Sequence, residues 1–462
     1  MSKPSIPKGT RDFGPEAMVR RQWMFDTLRS VFETHGFVPI QTPSFENLST
    51  LTGKYGEEGD QLIFKILNNG DYLAKADASA WERADSKAMT ASISKKALRY
   101  DLTVPFARFV VMNRNDLSFP FRRYQIQNVW RGDRPGKGRY QEFTQCDCDI
   151  IGSESTLCEL DLVQVFDEAL RALGVPGYRI VVNDRRILQG LSASCGVATS
   201  EFQAWTVAMD KLDKVGADGV MKELAERGVS DQARAALPDL VRLRDLATND
   251  ARLDAVAARI QGQTAGEAAL AELRTMLGRA AKLGVASSAL EVDPLLARGL
   301  DYYTGAIFEV VVNDAPVGSI CGGGRYADLT GIFGWQGMSG VGISFGADRI
   351  EDVLNHFDAW PALVNRGLDA LIVHMDGGGL DVELTLAAEL RKAGLSVELY
   401  PEPAKLKKQF KYADDRRAQT VLVRGEDERL AGTVTVKTMA TGHQTAVRLE
   451  DVAAHLLAQR GV

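Results

Sequence analysis

Apolar positions recur at helical spacing over residues 17–36, where Met18, Trp23, Phe25, Leu28, Val31 and Phe32 form one stripe. That spacing predicts an amphipathic helix, ended by Gly36. Phe37-Val38-Pro39-Ile40 then reads as a strand. Pro39 and Pro43 confine it to an edge or an interface, because proline has no N–H to donate to a ladder. Residues 124–131 and 143–151 alternate at period two and predict two strands. Gly132, Pro135, Gly136 and Gly138 mark a long hairpin loop between them. The stretch LRYDLTVPFARF reads as extended: Asp101 and Thr103 share a face, and Pro105 biases Val104 away from the helical region.

At larger scale the pattern predicts four regions. Residues 1–185 mix helical and strand periodicities. Residues 186–288 are rich in Ala, Leu, Arg and Glu with few strand signals, and read as a helical domain inserted into the first. Strand and glycine signals resume over 289–358, as if the first fold continues. Residues 366–462 alternate β and α over about a hundred positions, which suggests a small α/β domain. A chain of 462 residues is expected to hold more than one domain, since single cores stop growing at roughly 250–300 residues.

Composition narrows the class. Hydrophobic residues make up 45% and charged residues 25%, an ordinary globular balance. No apolar run approaches the roughly 20 residues of a membrane span, and residues 1–14 lack the apolar stretch of a secretory signal. A soluble, cytoplasmic enzyme with no membrane partner is expected. The 55 Lys and Arg stand against 61 Asp and Glu, for a net charge of −6. Bulk charge therefore does not drive nucleic-acid binding, although a local basic patch still could. The five cysteines are scattered. Cys146 and Cys148 share a strand face, but no further Cys or His lies near enough in sequence to complete a metal site, so packed thiols and no bound zinc are expected.

There is no P-loop and no nucleophile elbow, and the five histidines are dispersed. Chemistry must come from arginines and carboxylates. The densest block is residues 121–152. Period two puts Gln145 and Asp149 on one face of the second strand with Asp147 between them, while Arg131 ends the first strand and Arg134, Lys137 and Arg139 make the loop cationic. Polar acceptors on a sheet floor beside an arginine suit a small zwitterion next to a phosphate. An ordinary hairpin with a charged tip is the plain alternative. Asp101 and Thr103 could equally satisfy a turn. In ARGLDYYTGAIFEV, Arg298 precedes the Tyr302-Tyr303 pair and a strand from Ala306. SICGGGRYADLTG carries three glycines and Arg325. In MSGVGISFGADRIEDVLNHF a short strand breaks at Gly346 and a helix begins, with Arg349 in its first turn. That is a place to hold phosphate, or else a surface arginine paired with Asp348 or Glu351.

Taken in order, these blocks resemble the class II aminoacyl-tRNA synthetases and, more narrowly, the histidyl-tRNA synthetase family. FETHGFVPIQTP (32–43) is similar to motif 1, residues 121–152 to motif 2, and GVGISFGADRI (340–350) to motif 3. RGLDYYTG (298–305) and GGGRYADL (322–329) resemble the two histidine-specific motifs, and PKGTRDFGPE (7–16) also fits. The resemblance implies an α+β fold: an antiparallel-sheet catalytic core, a helical insertion domain and a C-terminal α/β anticodon-binding domain. It implies a ligase that activates L-histidine with ATP, releases pyrophosphate and transfers histidine to the 3′ end of its tRNA.

By the same resemblance, Arg131 grips the α-phosphate and the amino-acid carboxylate, Arg349 holds the γ-phosphate, and Arg139 lies near ATP. Arg298 acts at the α-phosphate as the electrophilic catalyst. Asp101, Thr103 and Gln145 hold the ammonium group. Asp149 and Tyr303 bind the imidazole nitrogens, with Tyr302 beside them. Magnesium is implied on the phosphates, and motif 1 implies a homodimer. The tRNA is met at its acceptor stem and its anticodon, the latter by residues 366–462, where Lys405, Lys407, Lys408 and Lys411 form a cationic helix or simply a solvated face. The chain departs from the commoner bacterial pattern in having Asp101-Leu102-Thr103-Val104 for an acidic P-E-G-T, Asp149 for a glutamate, and the loop RGDRPGKGRY. Two competing readings are a catalytically silent regulatory paralogue and a general RNA-binding protein. The retained Arg131, Arg298 and Arg349 and the extra domain weigh against the first, and only the lysine patch speaks for the second.

Overall fold

The computed structural model describes residues 3–53, 55–286, 289–298, 303–365, 367–375 and 379–459. Contacts divide it into two units, Met1–Ala359 and Trp360–Val462.

The first unit is built on an eight-stranded sheet. In chain order its strands are β1 (Val38–Pro39), β2 (Phe121–Trp130), β3 (Glu142–Ile151), β4 (Tyr178–Asp184), β5 (Leu290–Val292), β6 (Tyr303–Val312), β7 (Cys321–Tyr326) and β8 (Gly340–Gly346). In space they run β1-β2-β3-β8-β7-β6-β4-β5. Every pairing is antiparallel except the two outermost, β1 on β2 and β5 on β4. Pro39 sits on an edge strand, as its missing donor requires.

One sheet face carries the core. Helix α1 (Pro15–Thr34) starts with a proline at its first position and buries Met24, Leu28 and Phe32 at helical spacing. Phe32 packs on Tyr124 and Phe345, and Phe166 of α3 (Leu157–Ala172) packs on Phe345 and Phe308. All five cysteines are buried free thiols. Strand parity turns Cys146 and Cys148 away from the acids of β3.

The segment LTVPFARF is helical. Helix α2 (Thr103–Met112) begins at Thr103, and Leu102 already has helical angles. Pro105 lies in the first turn, where a missing N–H costs nothing, so the expected extended geometry is not adopted. Asp101 bonds the Val104 N–H instead, at 3.1 Å. From Arg185 to Lys282 the regular elements are helices only. The first and last of these, Arg185–Ser194 and Thr264–Lys282, pack on one another and on β4.

A clasp ties the end of α1 to α3. His35 Nδ1 lies 2.8 Å from Asp161 and Nε2 3.0 Å from Glu168, while Arg122 also bonds Asp161. The Asp161 hydrogen bond raises the imidazole above its usual value of 6.5, burial opposes this, and Glu168 adds to it. Burial acts to raise Asp161, but His35 and Arg122 outweigh it and hold that carboxyl below 3.8. A raised histidine gives stability that is complete below its unfolded pKa of about 6.5 and lost as pH climbs through the folded value. A lowered aspartate gives stability present above about 3.8 and lost on acidification. Thermal melts from pH 6.5 to 9 should therefore destabilise the wild type more than His35→Gln. A gap between the two that stays constant with pH would show the clasp to be inert.

The second unit carries a five-stranded sheet. Ala370–Ile372 lies parallel to Val397–Leu399 on one side and to Thr420–Val423 on the other, and the hairpin Thr433–Thr438 and Gln444–Arg448 follows. Helices Leu380–Lys392, Leu406–Asp415, Glu426–Ala431 and Val452–Gln459 complete it. Its core joins Ile372, Leu386, Leu390, Leu422, Val434 and Leu456.

Candidate active site

The sheet face opposite α1 is a polar floor. Register across the strands sets two neighbouring rows. One holds Gln125, Asp147, Ser344, Gly322 and Glu309, and the other Arg123, Asp149, Gly342, Gly324 and Ile307. Gln145 stands one repeat beyond Asp147, so the three polar residues of β3 line up as the alternation of the strand demands.

Asp149 is locked. Its Oδ2 lies 2.7 Å from Arg123 Nη2, and its Oδ1 accepts the Tyr326 hydroxyl at 3.0 Å. Burial raises its pKa, while Arg123 and Tyr326 oppose the rise. Arg123 is fully buried, with its guanidinium 4.3 Å over the Phe106 ring. At the other end of the row, Gln145 Nε2 donates to Ser344 Oγ at 3.0 Å. Asp101 Oδ1 accepts from the Tyr55 hydroxyl at 2.9 Å. The remaining oxygens, Gln145 Oε1 and Asp101 Oδ2, are buried with no hydrogen-bond partner among the described residues. Buried acceptors left unmatched cost about 1–3 kcal/mol each, so this end is built for a donor that arrives from outside. An ammonium group, which only donates, suits both.

Four arginines meet above the floor. Arg131 is held by the Tyr100 carbonyl at 3.0 Å and lies between the Tyr100 and Phe143 rings, 4.3 and 5.2 Å from their centres. Arg349, in the first turn of α4 (Ala347–His356), donates to the carbonyls of Gly138 at 3.0 Å and Ser319 at 2.5 Å. Its pKa is lowered by burial and then by the like charges of Arg131, Arg139 and Arg298. The pairing with Asp348 or Glu351 does not occur. Those acids face Arg21, at 2.9 and 2.5 Å, and Asp348 also takes Arg11 and the Thr144 N–H. This buried network joins α1, β3 and α4, and it leaves Arg349 turned to the cleft.

The glycines of the floor are spacers. A Cβ on Gly322 would lie 1.8 Å from Arg298 Nη1, and one on Gly342 would lie 1.9 Å from Asp149 Oδ1. The run of three glycines is a central strand. Gly322 makes room for the Arg298 guanidinium, Gly323 for the Gly342 carbonyl and Ile343, and Gly324 for the Tyr303 ring. Arg325 at its end points elsewhere, to Glu159, the Ser339 hydroxyl and the Ser153 carbonyl.

Asp101, Thr103, Arg131, Arg139, Gln145, Arg298, Tyr303 and Arg349 line one cleft of about 450 Å³. Asp149 lines a smaller recess that shares Thr103, Tyr303, Gly322 and Ser344 with the cleft. Tyr302 lies outside the described residues. Sequence reasoning did not single out Tyr55, Tyr100, Arg123, Glu309, Tyr326 or Ser344 as site residues, nor Asp210 and Lys214, which the helical segment brings to the cleft. The period-two rule could have found Ser344, Glu309 and Arg123, which share the floor face. Nothing in the pattern pointed to the other five.

Comparison with known proteins places the whole chain in one family. A family model for histidyl-tRNA synthetase matches residues 82–350, and one for an anticodon binding domain matches residues 369–459. A histidine–tRNA ligase of Cytophaga hutchinsonii is 47% identical over 99% of this chain and 100% of its own length. One of Porphyromonas gingivalis is 50% identical over 96% and 97%. The crystal structure of histidyl-tRNA synthetase from Nostoc superposes with a TM-score of 0.83 at 28% identity, covering 99% of this chain and all of the other.

Proposed function

The chain belongs to the histidyl-tRNA synthetase family and joins histidine to tRNA, and we propose that the arginine-lined cleft is where it activates the amino acid. The observation that carries this reading is the convergence of Arg131, Arg139, Arg298 and Arg349 on one another beside two orphaned acceptors. Four cations gathered in one cleft, three of which lower the pKa of Arg349, need a polyanion between them, and a triphosphate supplies one. The acceptors beside them take the ammonium of a zwitterion.

In the first step the histidine carboxylate attacks the α-phosphate of ATP and pyrophosphate leaves. Arg131 joins carboxylate to α-phosphate, Arg349 and Arg139 hold the tail, and Arg298 meets the charge that grows at the α-phosphate. No protein nucleophile is needed, because fixed cations lower the barrier by electrostatic preorganisation. Asp101, Thr103 and Gln145 hold the ammonium, and Asp149 and Tyr303 bracket the imidazole. The acyl group then passes to the terminal adenosine of the tRNA.

The residues present fit magnesium in the usual way for phosphates. The cleft offers Glu309, 3.7 Å from Arg298 Nη1, and magnesium commonly takes one or two carboxylates plus phosphate oxygens. Bound there, it would neutralise phosphate charge.

A homodimer through motif 1 completes the proposal, supported by the exposed edge strand β1 and the exposed Val38 and Phe45. The anticodon is read by residues 369–459, and the exposed Lys405, Lys407, Lys408 and Lys411 are suited to phosphate contact. A cytoplasmic setting accords with the absence of a membrane-spanning helix among the described residues.

Histidine-dependent exchange of labelled pyrophosphate into ATP tests the activation step, and its absence would refute it. Gly322→Ala should lower that exchange about tenfold to a hundredfold, because the new methyl displaces the Arg298 guanidinium from the floor. Unchanged exchange would mean that Arg298 does not work from that position.

A further inference from the structure

Asp149 has a partner at each oxygen, an ion pair with Arg123 at one and a hydrogen bond from Tyr326 at the other. Asp147 is not. It is 2% exposed, stands one strand repeat closer to the ammonium end, and lines the same recess as Asp149, Thr103, Tyr303 and Tyr326. Its cross-strand partner Ser344 hydrogen-bonds it, but its Oδ1 is buried with no partner among the described residues. A carboxyl oxygen placed in this way waits for a donor. The recess has about 20 Å³ of free space, room for about one water-sized group, and it shares Thr103, Tyr303, Gly322 and Ser344 with the larger cleft.

We propose that Asp147 touches the bound amino acid directly and is a specificity-determining residue for its imidazole ring, acting beside Asp149 rather than as scaffolding under it. This rests on the activation reading above and deepens it. Asp149, held by a cation and a phenol, offers a fixed acceptor whose charge is spent on Arg123. Asp147 is the adaptable one. Burial lifts its pKa to about 7, with Arg123 lowering and Asp149 raising it. The other charged or titratable groups around it are Arg99 and Asp101 just before α2, Cys146 and Cys148 beside it on β3, Tyr303 on β6 and Tyr326 on β7. A free imidazole titrates at about 6.5, so ring and carboxyl share protons over the same pH range. The pair prefers one proton between them, which a ring of very different basicity cannot supply.

The test uses Asp147→Asn in the full-length chain, with Asp147→Ser as a smaller second variant should the first not fold. Pyrophosphate exchange is measured from pH 6 to 8.5 with histidine and with 1,2,4-triazole-3-alanine, a ring of similar shape and far lower basicity. Folding is followed by thermal melt. The expected result is a histidine KM raised about tenfold or more, the size for losing a hydrogen bond to a charged group. The ATP KM should stay unchanged, histidine should be preferred less over the triazole, and the pH dependence of the histidine KM should be flatter. An unaltered histidine KM and pH profile would overturn the proposal, as would equal losses for histidine and ATP. Absence of exchange in the unmodified chain would overturn the activation reading and this proposal together. Normal exchange in that chain with an unaltered variant would overturn this proposal alone.

Discussion

Arg298→Ala lowers histidine-dependent pyrophosphate exchange about a hundredfold to a thousandfold, the usual size for removing one preorganised donor to transition-state charge. The geometry explains why so much rests on one side chain. Arg298 lies flat on Gly322, beside Glu309, among three other arginines. Arg131 and Arg349 are tied by carbonyls and rings in positions set before any ligand arrives. In the proposed mechanism they bind ground state and transition state alike. Arg298 is the cation assigned to charge that appears only during attack, so its loss should fall on kcat with little effect on the KM for ATP or histidine. Arg298→Lys should recover a small part at most, since one point charge cannot replace a planar fork. Exchange within a fewfold of wild type would remove Arg298 from the chemistry.

Asp149→Ala carries the second large effect, and it acts on two levels. The carboxylate binds the ring in the proposed site, and losing a hydrogen bond to a charged group costs about 1.5–3 kcal/mol, roughly a ten- to hundredfold rise in histidine KM. It is also the partner of a fully buried arginine. Removing one half of such a pair leaves an uncompensated charge and costs about 3–5 kcal/mol of stability. Asp149→Ala should therefore melt earlier and bind histidine worse, with ATP affinity retained in the fraction that stays folded. The double variant Asp149→Ala with Arg123→Met should regain stability without regaining histidine. Recovery of both would make Asp149 a structural residue, and recovery of neither would point to a different role for Arg123.

How far the site was legible in the chain depended on the kind of signal. Period two put Gln145, Asp147 and Asp149 on one face, and β3 has that face on the cleft. The break at Gly346 put Arg349 at a helix start, which is where it lies. The extended reading of LTVPF failed because a proline in a first helical turn looks the same, locally, as a proline that forbids helix. Only the neighbours of Thr103 decide between them. The glycine run suited a close approach or a plain turn equally. It is a central strand, and Gly322 is small because the Arg298 guanidinium lies against it.

Local periodicity and motif spacing were enough to establish which residues of β3 share a strand face, that a helix opens after Gly346 and which family the blocks resemble. Tertiary structure alone decided that Arg123 neutralises Asp149, that Tyr326 rather than another phenol reaches it, and that Arg21 takes Asp348 and so frees Arg349. The physical reason is reach. Backbone geometry is set by neighbours a few positions away, whereas a buried charge is settled by whichever opposite group the folded chain brings within about 3–4 Å, from any distance along the sequence.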